Sequence, residues 1–530
     1  MHTSSLAAII GVATFTLASP QPLFAQGSSD QQLGHVHFVT SCNEVAQRRF
    51  DRAMRYQHSF WYSEAKDLFE QVAKADPTCG MASWGIAMTL LHNPHGPIPK
   101  PNLAPGLAAI QKAKAVGAKT ERERDYIDAL TFMYADYDKL THTQRIHAYL
   151  QAMEKLAAKY PNDDEAQIFY AITLNTSASP ADKTYAQQKK GAAILEPIWK
   201  RQPNHPGIAH YLIHLYDYPA LAKNGLPAAE LYAKIAPAAP HAQHMPSHIF
   251  TRVGYWKESI ASNVASVKAA KADKEYSDQL HGEDYLVYAY LQLGDDKSAR
   301  TVIDDMNATT GANVNVRGVS FALAASPARY MIERRDWKGA AALEVHPSPF
   351  PFVPAITHFA RALGAARSGQ PDAAKPDIAK LAELRDKLRA AKDNYWAGLV
   401  DIQRQIAVAW VLDAEGKSDE ALKTMSAAAD AEDKTDKSPV TPGWIIPARE
   451  LYGDMLLKHG KAKDALAAFE ATKAKEPNRF NGYLGAAEAA QKVGDMAKVK
   501  DNYVKLVALA GDGESDRPEV VAAHTFLAGH

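Results

Sequence analysis

The sequence lacks the features that mark the common enzyme and nucleic-acid-binding classes. It has only two cysteines in 530 residues, and 60 Lys and Arg residues balance 60 Asp and Glu residues. A balanced charge does not favour binding to nucleic acid or to a membrane surface. No GxSxG, GxGxxG, GxxxxGKS/T or HExxH motif occurs. The sequence therefore predicts no serine-hydrolase elbow, no nucleotide cofactor and no zincin protease.

Uncharged apolar sequence is confined to the N-terminus. Residues 1–25 contain no Lys, Arg, Asp or Glu, and an apolar run from Leu6 to Leu17 leads to a Leu-Phe-Ala end. This pattern indicates a signal peptide over 1–25, cleaved after Ala25, and hence a periplasmic or secreted protein. The alternative is a buried or disordered N-terminal helix. After residue 25 no segment has the length and apolarity of a membrane span, so none is expected in the mature chain.

The two cysteines flank the first predicted helix pair. Cys42 precedes the first strong helix and Cys79 follows the second. In an antiparallel helix hairpin these points lie at the same end, so a Cys42–Cys79 disulfide is geometrically reasonable. The alternative is two buried thiols, and export favours the disulfide.

Strand signals are scarce, and apolar residues recur at the three- and four-residue spacing of helices. Near the C-terminus, Gly460 and Gly494 lie 34 residues apart, and a small residue follows each by five positions. Phe469 and Tyr503 occupy the next matching positions, and Pro477 ends the second helix. The order of glycine, small residue, aromatic residue and proline, with this period, resembles the tetratricopeptide repeat.

Similar turn and proline marks recur upstream. They predict an all-α, right-handed α-solenoid of stacked antiparallel helix pairs, with roughly eight to eleven units. We expect one array with a histidine-rich groove over 41–310 and a second array over 311–512. Pro-rich and polar stretches at 93–105, 343–354 and 430–442 are expected to form loops between units.

The first helices of the pairs line the concave face of such a solenoid, where repeat proteins of this type usually bind partners. In the tetratricopeptide repeat, positions ten and six before the turn glycine, or seven and eleven after the preceding proline, face this groove. The sequence therefore predicts a protein, peptide or small-molecule ligand bound in the groove.

Histidines occupy the groove positions of two adjacent units. His210 and His214 follow Pro203 by seven and eleven residues. Two such imidazoles lie one turn apart on one helix face and can chelate a single cation.

The next unit repeats this arrangement. His244 and His248 follow Pro237 by seven and eleven residues and also precede Gly254 by ten and six. His241 lies one turn earlier on the same face. In the following unit, Asp284 precedes the turn glycine by ten residues, and His281 lies one turn before it.

The constellation of His210, His214, His241, His244, His248 and Asp284 is a candidate metal site. Neutral imidazoles with one carboxylate suit a transition metal such as Zn, Cu, Fe or Ni rather than Ca or Mg. Two other interpretations stay open: polar recognition of a ligand, and structural hydrogen bonding. A metal-dependent enzyme that uses the same cluster is the alternative function, with one coordination position open.

Other candidates are weaker. The same spacing from the turn residue predicts four further side chains that face the groove and could contact a ligand there: Tyr288, Arg329, Glu450 and Asp454. Structural roles are favoured for His58, His92 and His95, which lie near the first unit.

Several segments carry a resemblance to a particular protein family that goes beyond the general repeat pattern. They are HSFWYSEAKDLFEQVAKADPTCGMASWGIAM, HMPSHIFTRVGYW, EDYLVYAYLQLG, PARELYGDMLL and EPNRF. Together they resemble a family of exported bacterial tetratricopeptide-repeat (TPR) proteins, over most of residues 41–510. The resemblance implies a periplasmic or secreted solenoid. It implies no particular reaction, because this fold also serves scaffolds, receptors and adaptors.

Overall fold

A computed structural model describes residues 32–511 and 515–529 of the chain. In these two ranges the regular structure is helical, and no β-strand is present. None of the described helices is long and apolar enough to cross a membrane. The signal peptide predicted for residues 1–25 lies outside the described residues.

The helices of the first half of the described chain are interrupted by one 3-10 turn, Ala222–Gly225. They are α1 (Glu44–His58), α2 (Tyr62–Ala75), α3 (Gly80–Leu90), α4 (Lys100–Val116), α5 (Glu121–Tyr134), α6 (His142–Lys159), α7 (Asp164–Ser177), α8 (Ala186–Arg201), α9 (Pro206–Tyr216), α10 (Leu226–Ile235), α11 (Pro240–His244), α12 (Pro246–Val253) and α13 (Trp256–Asp273).

The helices of the second half continue the same alternation of a helix and a short turn. They are α14 (Tyr276–Gln292), α15 (Asp296–Ala308), α16 (Arg317–Glu333), α17 (Trp337–Ala341), α18 (Phe352–Arg367), α19 (Pro371–Ala390), α20 (Asn394–Ala414), α21 (Ser418–Asp433), α22 (Ala448–Lys458), α23 (Ala462–Lys475), α24 (Phe480–Val493), α25 (Met496–Ala510) and α26 (Pro518–Gly529).

Consecutive helices pack as antiparallel pairs, and each pair packs on the next. We count α11 and α12 together as one first helix. It is interrupted at Pro246, because proline lacks the N–H that would continue the helix. The described residues thus contain twelve pairs, from α1–α2 to α24–α25, and a final helix α26. The predicted all-α solenoid is confirmed. Its additional pair reflects short second helices such as α17, whose five residues carry little sequence pattern.

The repeat pattern has a packing cause that the structure shows twice. Phe69 and Phe469 lie on second helices and are fully buried. A Cβ added to Gly85 would lie 2.3 Å from the Phe69 ring, and one added to Gly485 would lie 2.3 Å from the Phe469 ring. The first helix of the next unit therefore needs a glycine where the aromatic ring enters.

The turn positions also follow backbone geometry. Gly254 has a φ of +73°, and a Cβ there would lie 2.4 Å from the Pro477 carbonyl oxygen. In the unit of α16 and α17, Arg335 takes the turn position and has a φ of 56°. The left-handed region is uncommon for a residue with a side chain, so this unit makes its turn without the glycine that favours it.

The predicted disulfide is present. Cys42 and Cys79 are bonded, with Cα atoms 5.1 Å apart, and they join the start of α1 to the start of α3. The predicted division into arrays over 41–310 and 311–512 stays a prediction. Across that boundary α16 packs on both α14 and α15, so the stack of pairs continues there.

The face lined by first helices is filled by later parts of the chain. Lys437, in the loop between α21 and α22, lies 3.3 Å from the Asp217 carboxylate at the end of α9. The Trp256 indole N–H donates to the Asn478 carbonyl, in the turn before α24, at 2.6 Å. At both places segments 220 and 222 residues apart in sequence contact each other, so later parts of the chain cover part of the inner face.

Candidate metal centre

The central histidines lie on three successive first helices. His210 and His214 are on α9, which begins at Pro206. His241 and His244 are on α11, and His248 follows on α12 after the break at Pro246. Proline is well suited to the first turn of a helix, so Pro206 and Pro246 set where α9 and α12 start. His281 comes from α14.

The first histidine cluster consists of His210, His214 and His241. One ring nitrogen from each lies within 4.8 Å of the others. The Nε2 atoms of His210 and His214 are 3.1 Å apart. The Nδ1 atom of His210 donates to the His58 carbonyl at 2.7 Å, whereas Nδ1 of His214 and Nε2 of His241 are buried without a hydrogen-bond partner.

The second histidine cluster consists of His244, His248 and His281, again with one nitrogen from each within 4.8 Å of the others. The Nε2 atoms of His244 and His248 are 3.0 Å apart. The Nδ1 atom of His244 contacts the Asn263 side-chain oxygen at 2.7 Å, and Nδ1 of His248 contacts the Asp217 carboxylate at 2.9 Å.

These contacts determine where the imidazole hydrogens lie. A carboxylate and an amide oxygen only accept, so Nδ1 of His248 and Nδ1 of His244 each carry the hydrogen. A neutral imidazole has one N–H, so both Nε2 atoms of the second cluster present lone pairs to each other. Two nitrogen ligands of a tetrahedral ion lie about 3.3 Å apart, from a metal–nitrogen distance of about 2.0–2.1 Å. The observed spacing is close to that of ligands.

Burial keeps these histidines neutral. It lowers the pKa of His210 and of His281 to about 3, and it lowers the pKa of His248 as well. Burial and then the neighbouring imidazoles hold the pKa of His214 and of His244 well below the ordinary value. At neutral pH the clusters therefore offer unprotonated nitrogen, which is the form that binds a metal ion.

Aromatic rings surround both clusters. The Phe60 ring lies 4.3 Å from the His210 ring and 5.3 Å from the His241 ring, centroid to centroid. The Tyr285 ring lies 4.7 Å from the His244 ring, and its hydroxyl is 3.4 Å from Nε2 of His248. Four of the six histidines are buried and His241 and His281 are partly exposed, so most of the site lies in a medium of low dielectric constant, which strengthens electrostatic interactions inside it.

The two clusters are neighbours. The rings of His214 and His248 are 6.0 Å apart, and those of His241 and His244 are 6.1 Å apart, centroid to centroid. A seventh ring, His95 from the loop between α3 and α4, lies 4.2 Å from the His214 ring, and its Nε2 atom has no hydrogen-bond partner.

The structure does not bring Asp284 together with the histidines, so the prediction of Asp284 as a ligand is corrected. Its carboxylate pairs with Arg329 and accepts from Ser326, both on α16. His281, one turn earlier on α14, takes the predicted place in the second cluster. Successive pairs of a solenoid are rotated against each other, so equivalent positions drift by about one turn along the stack.

The predicted groove residues are also placed differently from the expectation. Tyr288 and Arg329 are buried, and the Arg329 guanidinium donates to the Gly443 carbonyl in the loop before α22. Glu450 is buried and binds Arg479 at 3.0 Å. Asp454 pairs with Arg367 at 2.8 Å. These side chains are therefore paired with other residues of the chain and not with a ligand.

Sequence reasoning missed the residues that support the clusters. Asp217 lies directly after α9 and binds His248, Arg252 at 2.7 Å and Lys437 at 3.3 Å. Asn263 on α13 orients His244. Asp217 could have been suspected from the sequence, because it lies only three positions after His214. Asn263 and Lys437 are distant in sequence and reach the site only through the tertiary fold.

A third group also contains a carboxylate. His58, Glu165 and His205 are buried with ligand atoms within 4.8 Å of one another. Glu165 contacts Nε2 of His58 and Nε2 of His205, each at 3.0 Å, and Nδ1 of His58 contacts the Tyr211 hydroxyl at 3.0 Å. One carboxylate accepts from both rings, in keeping with the structural role expected for His58, whereas Nδ1 of His205 is buried without a partner.

Comparisons with known proteins leave the chain without a family assignment. No protein-family model matches it, and no curated protein matches it. Among solved structures it is similar to yeast Tom70, at 13% identity and a TM-score of 0.27, over 92% of this chain and 95% of that chain. It is similar to the APC/C hetero-tetramer Cut9–Hcn1, at 12% identity and a TM-score of 0.30, over 91% and 89%. Naa15/Naa10 bound to HypK-THB shares 13% identity at a TM-score of 0.24, over 91% and 74%.

Proposed function

We propose that this chain is an exported metal-binding solenoid that holds transition-metal ions in its two histidine clusters. One observation carries the proposal. The Nε2 atoms of His244 and His248 face each other at 3.0 Å while acceptors hold the hydrogens on both Nδ1 atoms. A cation between the two nitrogens replaces the repulsion of facing lone pairs with two coordinate bonds.

Hydrogen bonding alone does not satisfy the first cluster either. If His214 donates from Nε2 to His210, its own Nδ1 lone pair stays buried without a donor. The Nε2 atom of His241 is likewise buried without a partner. Leaving a buried polar atom unsatisfied costs about 1–3 kcal/mol. A metal ion bound through Nε2 of His241, together with Nε2 of His210 and of His214, gives the His241 nitrogen a partner.

The ligand set favours particular metals. Both clusters consist of neutral imidazoles, which suit Zn, Cu, Fe and Ni, and neither includes a carboxylate of the kind that Ca²⁺ or Mg²⁺ requires. The ring N–H groups of His210, His244 and His248 donate to His58, Asn263 and Asp217, and such bonds orient the ring of a metal-binding histidine. Among these metals we propose Zn²⁺ or Cu²⁺.

The test is metal analysis of untagged, full-length protein. Chelator-treated protein is loaded with Zn²⁺ or Cu²⁺, dialysed and analysed for bound metal. We expect stoichiometric binding that falls in the His210→Ala/His214→Ala variant and in a His244→Ala/His248→Ala variant. The matched control is His346→Ala/His524→Ala, which removes two exposed histidines. Metal at less than about a tenth of stoichiometry after loading would exclude a metal site with affinity in the usual range.

Export to the periplasm or the medium belongs to the same proposal. The uncharged N-terminal run and the Cys42–Cys79 disulfide support it, because disulfides persist in oxidising compartments. Expression of the full chain in a Gram-negative host should give a periplasmic protein that begins at Gln26. The control lacks residues 1–25 and should stay in the cytoplasm with reduced cysteines.

A metal-dependent enzyme that uses the same histidines is the second candidate. Three imidazoles leave one position of a four-coordinate ion open, as in catalytic zinc sites. Hydrolysis of activated esters or phosphodiesters by the metal-loaded protein, absent from the chelator-treated protein and from His244→Ala/His248→Ala, would favour this candidate.

A further inference from the structure

We infer that the two histidine clusters act as one two-metal centre, and that this centre binds a small anion between its ions. The inference rests on the proposed function, because it requires that both clusters bind metal. It goes further by assigning a ligand and a coupling between the sites.

The first argument is proximity. His241 and His244 lie three residues apart on α11, yet they belong to different clusters. Their rings, and the rings of His214 and His248, are 6.1 Å and 6.0 Å apart between centroids, within the range of contacting rings. Each ion would be coordinated by in-plane nitrogen lone pairs of its own cluster. We infer that the two ions are close enough to share one small bridging ligand, as in two-metal sites whose ions are about 3.5–4 Å apart.

The second argument is charge. Six neutral imidazoles leave the full charge of two divalent ions uncompensated in a buried site. The carboxylate in contact with the clusters, through His248, is Asp217, and it is already paired with two cations, Arg252 and Lys437. These three side chains together carry one net positive charge, so Asp217 does not compensate the ions. Since uncompensated charge is costly in a medium of low dielectric constant, an anion is needed beside the ions.

The third argument is the shape and polarity of the site wall. Phe60 lies against the first cluster, with its ring 5.8 Å from that of His214, so an apolar wall borders the ligand position there. At the second cluster the Tyr285 hydroxyl lies 3.3 Å from Nδ1 and 3.4 Å from Nε2 of His248. This hydroxyl can donate to an anion beside the second ion. Hydroxide, halide and azide have the required size and charge.

The experiment uses full-length, chelator-treated protein loaded with one or two equivalents of Cu²⁺, with azide as the probe. Bound copper is measured first. With two equivalents we expect magnetic coupling, seen as an EPR intensity well below that of two isolated Cu²⁺ ions, and a new azide charge-transfer absorption band. His210→Ala/His214→Ala should bind one Cu²⁺ with full EPR intensity and bind azide at least about tenfold more weakly.

A second variant tests the anion site without removing a ligand. Tyr285→Phe should keep both copper ions and lower azide affinity by about tenfold, the value of one hydrogen bond to a charged group. Two bound ions with full EPR intensity, and azide affinity equal to that of the one-cluster variant, would overturn the inference while leaving the proposed function intact. Failure to bind copper or zinc at all would overturn the proposed function itself.

Discussion

Two buried polar regions lie on the same face of this solenoid and differ in how their charges are satisfied. The histidine clusters occupy the first helices α9 to α14. The arginine network (Arg329 with Asp284, and Arg479 with Glu333 and Glu450) occupies α14 to α24. In the network each guanidinium faces carboxylates. In the second cluster nitrogen lone pairs face each other, and in the first cluster two buried nitrogens have no partner.

The difference shows that burial of polar groups is not by itself a sign of function. The network is complete, since Arg479 also donates to the Tyr288 hydroxyl at 2.8 Å and closes the inner face of the stack. The clusters are incomplete, since His214 and His241 each have a buried nitrogen without a partner. We therefore assign structural cohesion to the network and ligand binding to the clusters.

Metal loading should give the largest effect and separate the two regions. With free Zn²⁺ about a thousandfold above the dissociation constant, each occupied cluster should add about 4 kcal/mol to the free energy of unfolding. Urea unfolding of chelator-treated and loaded protein measures this gain. His210→Ala/His214→Ala should retain about half of it, and His346→Ala/His524→Ala all of it. An unchanged midpoint on loading would remove the distinction between the regions.

Removing one charge from the arginine network should cost nearly as much. Arg479→Met leaves Glu333 and Glu450 buried and close together, so we expect a loss of about 3–5 kcal/mol in stability with metal binding retained. Urea unfolding and metal analysis measure the two quantities. The triple change Arg479→Met/Glu333→Gln/Glu450→Gln should recover part of the loss. A cost of Arg479→Met below about 1 kcal/mol would mean that the network does not close the fold.

Asp217 joins the second cluster to the loop before α22, and its replacement should have an intermediate effect. Asp217→Asn keeps the size of the side chain but weakens the acceptor that holds Nδ1 of His248. We expect metal affinity to fall about 10–100-fold, as for other residues that hold the N–H of a metal-binding histidine. Competition with a chromogenic chelator measures the affinity. Asp454→Asn, which alters a carboxylate paired with Arg367, is the control and should leave affinity unchanged.

Removal of an exposed ion pair should give the smallest loss of stability, and it provides a reference for the loss in the buried arginine network. Lys505 and Asp501 lie one turn apart on α25, 2.8 Å from each other and about half exposed. Asp501→Ala should cost no more than about 0.5 kcal/mol in urea unfolding. A cost similar to that of Arg479→Met would show that exposure does not explain the difference between ion pairs in this protein.

Much of the fold could be predicted from residue spacing. Gly460, Gly494 and Pro477 marked helix ends that the structure confirms, because a turn glycine and a helix-ending proline act through the local backbone. The same marks predicted that His210, His214, His244 and His248 lie on first helices and approach each other in pairs, which the structure shows.

The errors have a common cause. Asp284 and Arg329 were predicted from their positions to contact a metal and a ligand, and instead they contact each other. His281 was one turn away from the predicted ligand position. The helix register depends on local residues, but the rotation between pairs and the return of the chain at Lys437 and Arg479 depend on packing between segments far apart in sequence.

The sequence by itself determined the repeat architecture, the helix boundaries near glycine and proline, and which histidines share a helix face. These properties follow from backbone conformation and helix periodicity within a few residues. Only the tertiary structure decided that later parts of the chain cover part of the inner face, that His281 replaces Asp284, and that Asp217 and Asn263 orient the imidazoles. Those outcomes depend on contacts between distant segments, since burial leaves each polar atom only the partners that the packed chain brings to it.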